Sequence, residues 1–373
     1  DDRSLDNAME SFQQAARLDP SSPLPLAGLA EAQLEKNLAT LDRKWLVAAQ
    51  ETIRAAEAIN PDSVAVLLAS GRIKQHTGQY EKALEDYRRV EEIEPRNVEV
   101  QLRIAATKDQ DNLPDEALKR YRKAIALAPA FYKPYLEMGR SLYFRGMYAA
   151  AAAQFREASA HAPGLYEPFL LLGAAETDQG HYDQGEQAFR AALRIQETGG
   201  ALCSLGAIES YHHQFAEAAR LIERSLLIGS SDYRCLLNLG DIRRWMNQPS
   251  EARPAYRKAL DLASAALKQN PRDAYARAFV AYLAGRLGDR QRAEDEIEQA
   301  LQLLPDDNKV LRRAVLTYEM LGKRQRALEV AAQLKEGALL ELERHPDLSD
   351  FSRDPRFQSL LSKSQGGGIR HAP

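Results

Sequence analysis

Small and aromatic residues recur along the chain in one repeated phrase. A small residue is followed by an aromatic residue four positions later, by a second small residue after three more, and by a proline after five more. Clear copies are Ala8, Phe12, Ala15 and Pro20; Ala117, Tyr121, Ala124 and Pro129; and Ala151, Phe155, Ala158 and Pro163. These offsets place the apolar side chains on one helical face, and the proline prevents the helix from continuing.

The phrase recurs with a period of 34 residues. That interval separates the successive members of two series, Pro61, Pro95, Pro129 and Pro163, and Gly71, Ala105, Gly139 and Gly173. The second series lies in a preceding helix, where a small residue marks the close approach of two helices. This periodicity predicts an array of antiparallel helix pairs, each packed only on its neighbours.

These residues resemble the tetratricopeptide repeat (TPR). The resemblance covers residues 4 to about 335, as nine helix pairs that follow one unpaired second helix at about residues 5–18. It implies an all-α fold, a right-handed superhelical solenoid of antiparallel helix pairs. Phe357 and Leu361 are expected on a C-terminal capping helix. We assign residues 1–363 to one array and expect residues 364–373, with three glycines, to be a disordered tail.

Two repeats, at about residues 23–63 and 233–273, are 41 residues long instead of 34. The seven extra residues are close to two helical turns, so they lengthen a helix without rotating its apolar face. We expect the extra turns within residues 34–45 and 262–268. These insertions are interpreted as tolerated lengthening, with a protrusion for a partner as the alternative.

Two other departures concern helix boundaries. Glu197 replaces the usual proline and residues 198–200 shift the register by one position, which predicts a soft joint near residues 196–200. Pro254 falls inside a predicted second helix, and we expect it to kink that helix or to move its start to about Arg253.

The N-terminal end suggests a piece of a longer protein, because the chain begins with Asp1 in the second half of a repeat. The unpaired helix at residues 5–18 offers a surface for a second copy of the chain, and hence for a homo-oligomer. Residues 42–45, 239–241 with 270–273, and 354–357 also resemble the C-terminal repeat regions of multidomain bacterial signalling proteins. That resemblance implies an N-terminal Ser/Thr protein kinase, or less often a winged-helix domain or nucleotide cyclase.

Composition excludes several classes of function. The net charge of −3 provides no basic surface for nucleic acid, and no apolar run is long enough to insert in a membrane. Cys203 and Cys235 occupy early first-helix positions of neighbouring repeats. One disulfide is possible by count, but small buried thiols and a cytoplasmic location are the preferred interpretation.

No catalytic, cofactor or metal site is predicted. The seven histidines show no metal-ligand spacing and are expected at the surface or in turns, and no phosphate loop, nucleophile motif or kinase motif is present. We therefore do not expect this chain to be an enzyme.

The TPR resemblance implies that the first helices line a concave groove that binds a protein or peptide. Arginine and aromatic side chains are typical of interface hot spots, and they favour an extended peptide with some acidic character. For Trp245 the alternative is packing into the adjacent insertion. The groove positions are Arg72, Lys133, Arg140, Tyr143, Arg234, Asn238, Arg244, Trp245, Tyr282, Arg286 and Arg312.

These observations predict an interaction scaffold that regulates a larger signalling protein. Two alternatives remain: the substrate-docking region of a multidomain enzyme, such as a kinase or glycosyltransferase, and a stand-alone assembly adaptor. The upstream domain would distinguish them.

Overall fold

The computed structural model describes residues 2–229 and 232–366, and within them all regular secondary structure is helical. The predicted all-α fold of paired helices is confirmed. The chain divides into two compact units, unit 1 (Asp1–Arg145) and unit 2 (Gly146–Pro373).

Unit 1 contains the first eight helices of the described chain. In order they are α1 Asp2–Leu18, α2 Leu24–Thr40, α3 Arg43–Ile59, α4 Val64–His76, α5 Tyr80–Ile93, α6 Val98–Gln110, α7 Pro114–Leu127 and α8 Tyr132–Phe144. Helix α1 packs on α2, as expected of a second helix without its own first helix. The main contacts join consecutive helices, and α2, α4, α6 and α8 also contact one another in series.

Unit 2 continues the pairs and ends in a group of shorter helices. Its first part is α9 Tyr148–His161, α10 Tyr166–Thr177, α11 Tyr182–Ile195, α12 Gly199–Tyr211, α13 Phe215–Leu227, α14 Tyr233–Trp245 and α15 Pro249–Gln269. Its second part is α16 Ala274–Leu287, α17 Arg290–Leu303, α18 Asn308–Met320, α19 Arg324–Ala331, α20 Glu336–Arg344, the 3-10 helix η1 Pro346–Leu348, α21 Ser349–Ser352 and α22 Pro355–Gly366.

Several helix pairs are held together by an aromatic ring that lies against a glycine. A Cβ atom at Gly173 would stand 2.7 Å from the Phe189 ring, and at Gly240 it would stand 2.5 Å from the Tyr256 ring. The ring occupies the space that a side chain would need, so the two helices approach closely. This contact explains why the small and aromatic residues recur together.

The seven-residue insertions lengthen helices in two ways. In the first long repeat both α2 and α3 have 17 residues, and the turn between them contains Leu41 in the left-handed conformation, with φ of 56°. In the second, the whole extension lies in α15, which has 21 residues and includes the expected residues 262–268. Helix α15 begins at Pro249, so the expectation that Pro254 moves its start to Arg253 is wrong.

The boundary between the two units lies between Arg145 and Gly146. Residues 196–200, where we predict a soft joint, lie inside unit 2 between α11 and α12. There the Ser225 hydroxyl donates to the Gly199 carbonyl at 2.7 Å, and Arg224 pairs with Glu197 at 2.8 Å. These contacts tie the segment to α13, and the softness of the joint stays a prediction.

The C-terminal capping helix is present as α22. Phe357 is fully buried and packs with Phe351 at a ring distance of 4.9 Å, in the same core as residues of α19. Residues 364–366 of the predicted tail belong to α22, and residues 367–373 lie outside the described residues. Helices α20 and α21 and η1 were not foreseen.

Cys203 of α12 and Cys235 of α14 form a disulfide, with a Cα–Cα distance of 5.7 Å. The expectation of two free buried thiols is therefore wrong. First helices of neighbouring repeats lie side by side, and the repeat register brings the two cysteines face to face. Stable disulfides occur mostly in oxidising compartments, so the cysteines no longer support a cytoplasmic location.

Substitution of Gly173 by alanine tests the ring-on-glycine contact. The new methyl group overlaps the Phe189 ring, so we expect Gly173→Ala to lower the free energy of unfolding by about 1–3 kcal/mol in urea denaturation. Gly164→Ala is the matched control, because a Cβ there meets nothing within 4 Å, and it should change stability by less than about 0.5 kcal/mol. Equal effects of both variants would contradict this packing.

Candidate functional site

The first helices of unit 2 are partly covered by the chain's own C-terminal part. Residues 336–348, which comprise α20 and η1 and are called the inner segment below, contact α18 directly. Leu339, Leu342 and Leu348 of this segment are buried in the same hydrophobic core as α16 and α18. Burial of three leucines is expected to contribute several kcal/mol, so the inner segment is a permanent part of unit 2.

Asp347 is the polar centre of the inner segment. Its carboxylate pairs with the guanidinium groups of Arg244 and Arg286 and accepts a hydrogen bond from the Trp245 indole nitrogen Nε1 at 2.7 Å. Burial alone would raise the pKa of Asp347, but the Arg286 charge and the Arg244 hydrogen bond outweigh it and hold that pKa well below its usual range. Asp347 is therefore ionised near pH 7.

A second carboxylate, Asp241 of α14, lies beneath this pair and is almost inaccessible to solvent. It accepts hydrogen bonds from the hydroxyls of Tyr256 at 2.7 Å and Tyr282 at 3.2 Å. Nε of Arg286 is 3.4 Å away. Burial nevertheless raises the pKa of Asp241 above its ordinary value, because desolvation outweighs the arginine charge.

His345 joins the inner segment to Trp245. It caps η1, because its Nδ1 accepts a hydrogen bond from the Asp347 backbone amide at 3.2 Å. It therefore lies in a turn, as predicted, but it is buried and not at the surface. Its ring centre is 5.6 Å from that of Trp245. Burial lowers the pKa of His345 to about 3, so the imidazole is neutral near pH 7.

The sequence-predicted groove residues of unit 2 are thus gathered mostly around the inner segment. Arg244, Trp245, Tyr282 and Arg286 meet at Asp347, and Arg312 pairs with Glu341 of α20. Asn238 lines a small cavity beside them. Arg234 does not join this group, because it is paired with Asp232 at the exposed start of α14.

The predicted groove residues of unit 1 lie on α4 and α8 among acidic partners. Arg72 pairs with Glu35, and Lys133 stands 3.4 Å from Glu99. Tyr143 contacts the exposed Phe144 ring at 6.3 Å, and Arg140 is partly buried on the same helix. Two of the three cations are thus paired with glutamates, and these residues do not form one concentrated site.

An aromatic cleft of about 510 Å³ opens at the other side of Trp245. Its walls are Tyr211, Phe215 and Trp245, all partly exposed, with Phe215 and Trp245 rings 5.6 Å apart. Arg344 and Arg353 stand exposed at its edge. Of these residues, sequence reasoning found only Trp245. The aromatic pair that flanks the α12–α13 turn was the available signal for the cleft.

Another open cleft, of about 520 Å³, lies where the starts of α18 and α20 approach the turn after α10. Lys309 pairs there with Asp178 at 2.9 Å, and Arg312 with Glu341. Its charged groups are largely matched with one another.

Within residues 2–229 and 232–366 there is neither a group of three or more potential metal ligands nor a helix long and apolar enough to cross a membrane.

Comparison with known families identifies the repeat. Residues 64–97, 136–199 and 233–265 match models of the tetratricopeptide repeat. The chain contains tetratricopeptide repeats. A comparison with curated protein sequences finds no match.

Several solved structures have a similar fold at low sequence identity. The APC/C hetero-tetramer Cut9–Hcn1 contains a chain that is 17% identical, with a TM-score of 0.49 and coverage of 91% of this chain. The match covers 63% of that chain, less than two thirds of its length. The C-terminal part of a TPR repeat-containing protein from Cytophaga hutchinsonii is 16% identical, with a TM-score of 0.44 and coverage of 66% of this chain and 98% of that one. MamA protein is 18% identical, with a TM-score of 0.34 and coverage of 56% and 97%.

The buried His345 makes a prediction about pH. Its pKa is lower in the folded than in the unfolded chain, so unfolding takes up a proton below pH 6.5 and stability falls as the pH decreases from there toward 3. Between pH 7 and 5 the wild type should lose about 2 kcal/mol more unfolding free energy than His345→Gln. The measurement is urea denaturation of both proteins across this pH range. If both lose stability equally as the pH decreases, His345 is not held neutral and the prediction is wrong.

Proposed function

We propose that this chain is a non-catalytic interaction scaffold that binds a segment of a partner protein in the aromatic cleft of unit 2. Tetratricopeptide repeats support an interaction scaffold in general. The observation that carries the specific proposal is the cleft itself, where partly exposed rings of Tyr211, Phe215 and Trp245 line a space of about 510 Å³. This is within the range of about 300–1,000 Å³ that is typical of ligand pockets.

The composition of the aromatic cleft suits an energetic hot spot. Tryptophan, tyrosine and arginine are the residues that most often dominate interface energies. The indole nitrogen of Trp245 is satisfied by Asp347, so the ring is fixed in place and a partner meets only its apolar surface. A prearranged ring loses little conformational entropy when a partner binds.

Charge suggests the chemistry of the partner segment. Arg344 and Arg353 stand at the cleft edge, and Arg353 has only a 3.8 Å exposed pairing with Asp350. Exposed pairs of this kind contribute little, so Arg353 is available to a carboxylate. Arg344 is exposed and lies 5.7 Å from the centre of the Tyr182 ring, a contact that leaves its hydrogen-bond donors accessible. We therefore favour a segment with an apolar or aromatic side chain next to an acidic residue.

Unit 1 supplies a second surface in this proposal, the first-helix row with Arg72, Lys133, Arg140 and Tyr143. Because Glu35 and Glu99 pair with Arg72 and Lys133 of this row, we propose a longer polar stretch of the partner here. In unit 2, Arg244, Arg286 and Arg312 already hold carboxylates of the inner segment. Because these three arginines are already paired, the aromatic cleft is the better candidate for binding the partner.

The signalling context belongs to the same proposal. The three stretches that resemble bacterial signalling proteins support a regulatory region that binds a partner or a catalytic domain. The perturbed ionisable groups of unit 2 do not call for a catalytic role, since internal ion pairs and burial account for them. The Cys203–Cys235 disulfide favours an oxidising compartment over the cytoplasm.

Selection from a displayed library of random peptides tests the proposal. We expect enrichment of peptides with an apolar or aromatic residue beside an acidic one, and at least tenfold weaker calorimetric binding to the double variant Arg344→Ala/Arg353→Ala. Both arginines are exposed, so this variant should fold normally.

Arg253→Ala is the matched control, because Arg253 is an exposed arginine on α15, away from the cleft residues. It should bind within twofold of the wild type. Absence of any enriched peptide, or equal binding by the double variant, would contradict the assignment of the cleft.

A further inference from the structure

Arg313 differs from the other inner arginines of unit 2 because it lacks an acidic partner. Its guanidinium lies over the rings of Phe279 and Tyr282, at 4.4 and 4.9 Å from their centres. Among the described residues, no carboxylate lies within ion-pair distance of it, and its side chain makes no hydrogen bond. By contrast, Arg244 and Arg286 share Asp347, and Arg312 pairs with Glu341.

The local charge is therefore unbalanced. Four arginines, at positions 244, 286, 312 and 313, lie close to three carboxylates, those of Asp241, Asp347 and Glu341. Within this group the arginines outnumber the carboxylates by one.

A partly enclosed cavity of about 50 Å³ adjoins Arg313 between the first helices and the inner segment. Its polar lining includes Arg312, Arg313, Asn238 and Tyr211, and also the carboxylates of Asp241 and Glu341, which are held by Tyr256 and Arg312. In the described structure the side chains of Asn238 and Tyr211 make no hydrogen bonds, so the amide and the hydroxyl are available donors. One ordered water needs about 10–15 Å³, so this volume accommodates a small ion of a few atoms.

Desolvation makes such a cation costly without an anion. Burial lowers the pKa of Arg313 below its ordinary value, yet a guanidinium remains protonated in proteins. Contacts with aromatic faces compensate by about 2 kcal/mol at most. Arg313 is partly exposed, so the remaining penalty is smaller than the several kcal/mol of a fully buried charge. An anion in the adjoining cavity would remove this penalty.

We propose that this cavity is a binding site for a small monovalent anion, a halide or a simple carboxylate, held by Arg313 with Asn238 and Tyr211 as further donors. Because Arg313 belongs to α18 and the cavity is also lined by Leu342 and His345, the bound anion fastens the inner segment to the first helices. This site shares Tyr211, Trp245 and His345 with the lining of the aromatic cleft, but it does not depend on the proposed partner.

The test is urea denaturation of the full chain at constant ionic strength, with sodium gluconate replaced stepwise by sodium chloride or sodium formate. Gluconate is too large for the cavity. We expect a saturable increase in the folding equilibrium constant, by about tenfold when the anion reaches nine times its dissociation constant. Arg313→Gln and Asn238→Ala should abolish or weaken this increase, while Arg253→Gln should retain it.

Crystals soaked in sodium bromide provide a second measurement that does not depend on the stability of the variants. An anomalous peak within hydrogen-bond distance of the Arg313 guanidinium is expected. The proposal is overturned if chloride and formate act as gluconate does, if Arg313→Gln keeps the full saturable effect, or if no bromide lies at Arg313.

Discussion

The pairing of Asp347 with Arg244 and Arg286 is the contact on which the organisation of unit 2 depends. It joins the inner segment to α14 and α16, more than 60 positions away in the chain. A buried ion pair contributes little net stability, because the cost of desolvating the two charges offsets their attraction. Removal of one partner is costly, however, and the directional hydrogen bond from Trp245 helps to fix the position of the carboxylate. The pair therefore determines where the inner segment lies, while its leucines provide the free energy.

This contact changes which surface of unit 2 is open to a partner. First helices of a repeat array commonly present their polar side chains to a ligand, and here the chain's own acidic residues already occupy three of the arginines. What stays open is the outer side of Trp245, whose indole nitrogen is bound to Asp347 while its ring lines the aromatic cleft. The same anchoring leaves Arg313 without a carboxylate, so the inner segment shapes both proposed sites.

The repeated fold was predictable because it is local. The 34-residue period encodes ring-on-glycine contacts such as Phe189 with Gly173, and these involve residues only 16 positions apart. The candidate site was predictable only in part. Trp245, Tyr282 and Arg286 were predicted as groove residues, but the repeat pattern does not indicate that the inner segment covers them. Asp347 and His345 follow the last repeat, so their pairing arises from tertiary packing. The disulfide was missed because cysteine count alone does not specify distance.

A double-mutant cycle between Arg286 and Asp347 tests the central claim most directly. The free energy of unfolding would be measured for Arg286→Ala, Asp347→Ala, the double variant and the wild type. We expect a coupling energy of about 2–5 kcal/mol, as for other desolvated charge pairs. The exposed pair Arg353 and Asp350, measured in the same way, should give less than about 0.5 kcal/mol. A coupling for Arg286 and Asp347 as small as that of the exposed pair would contradict the account.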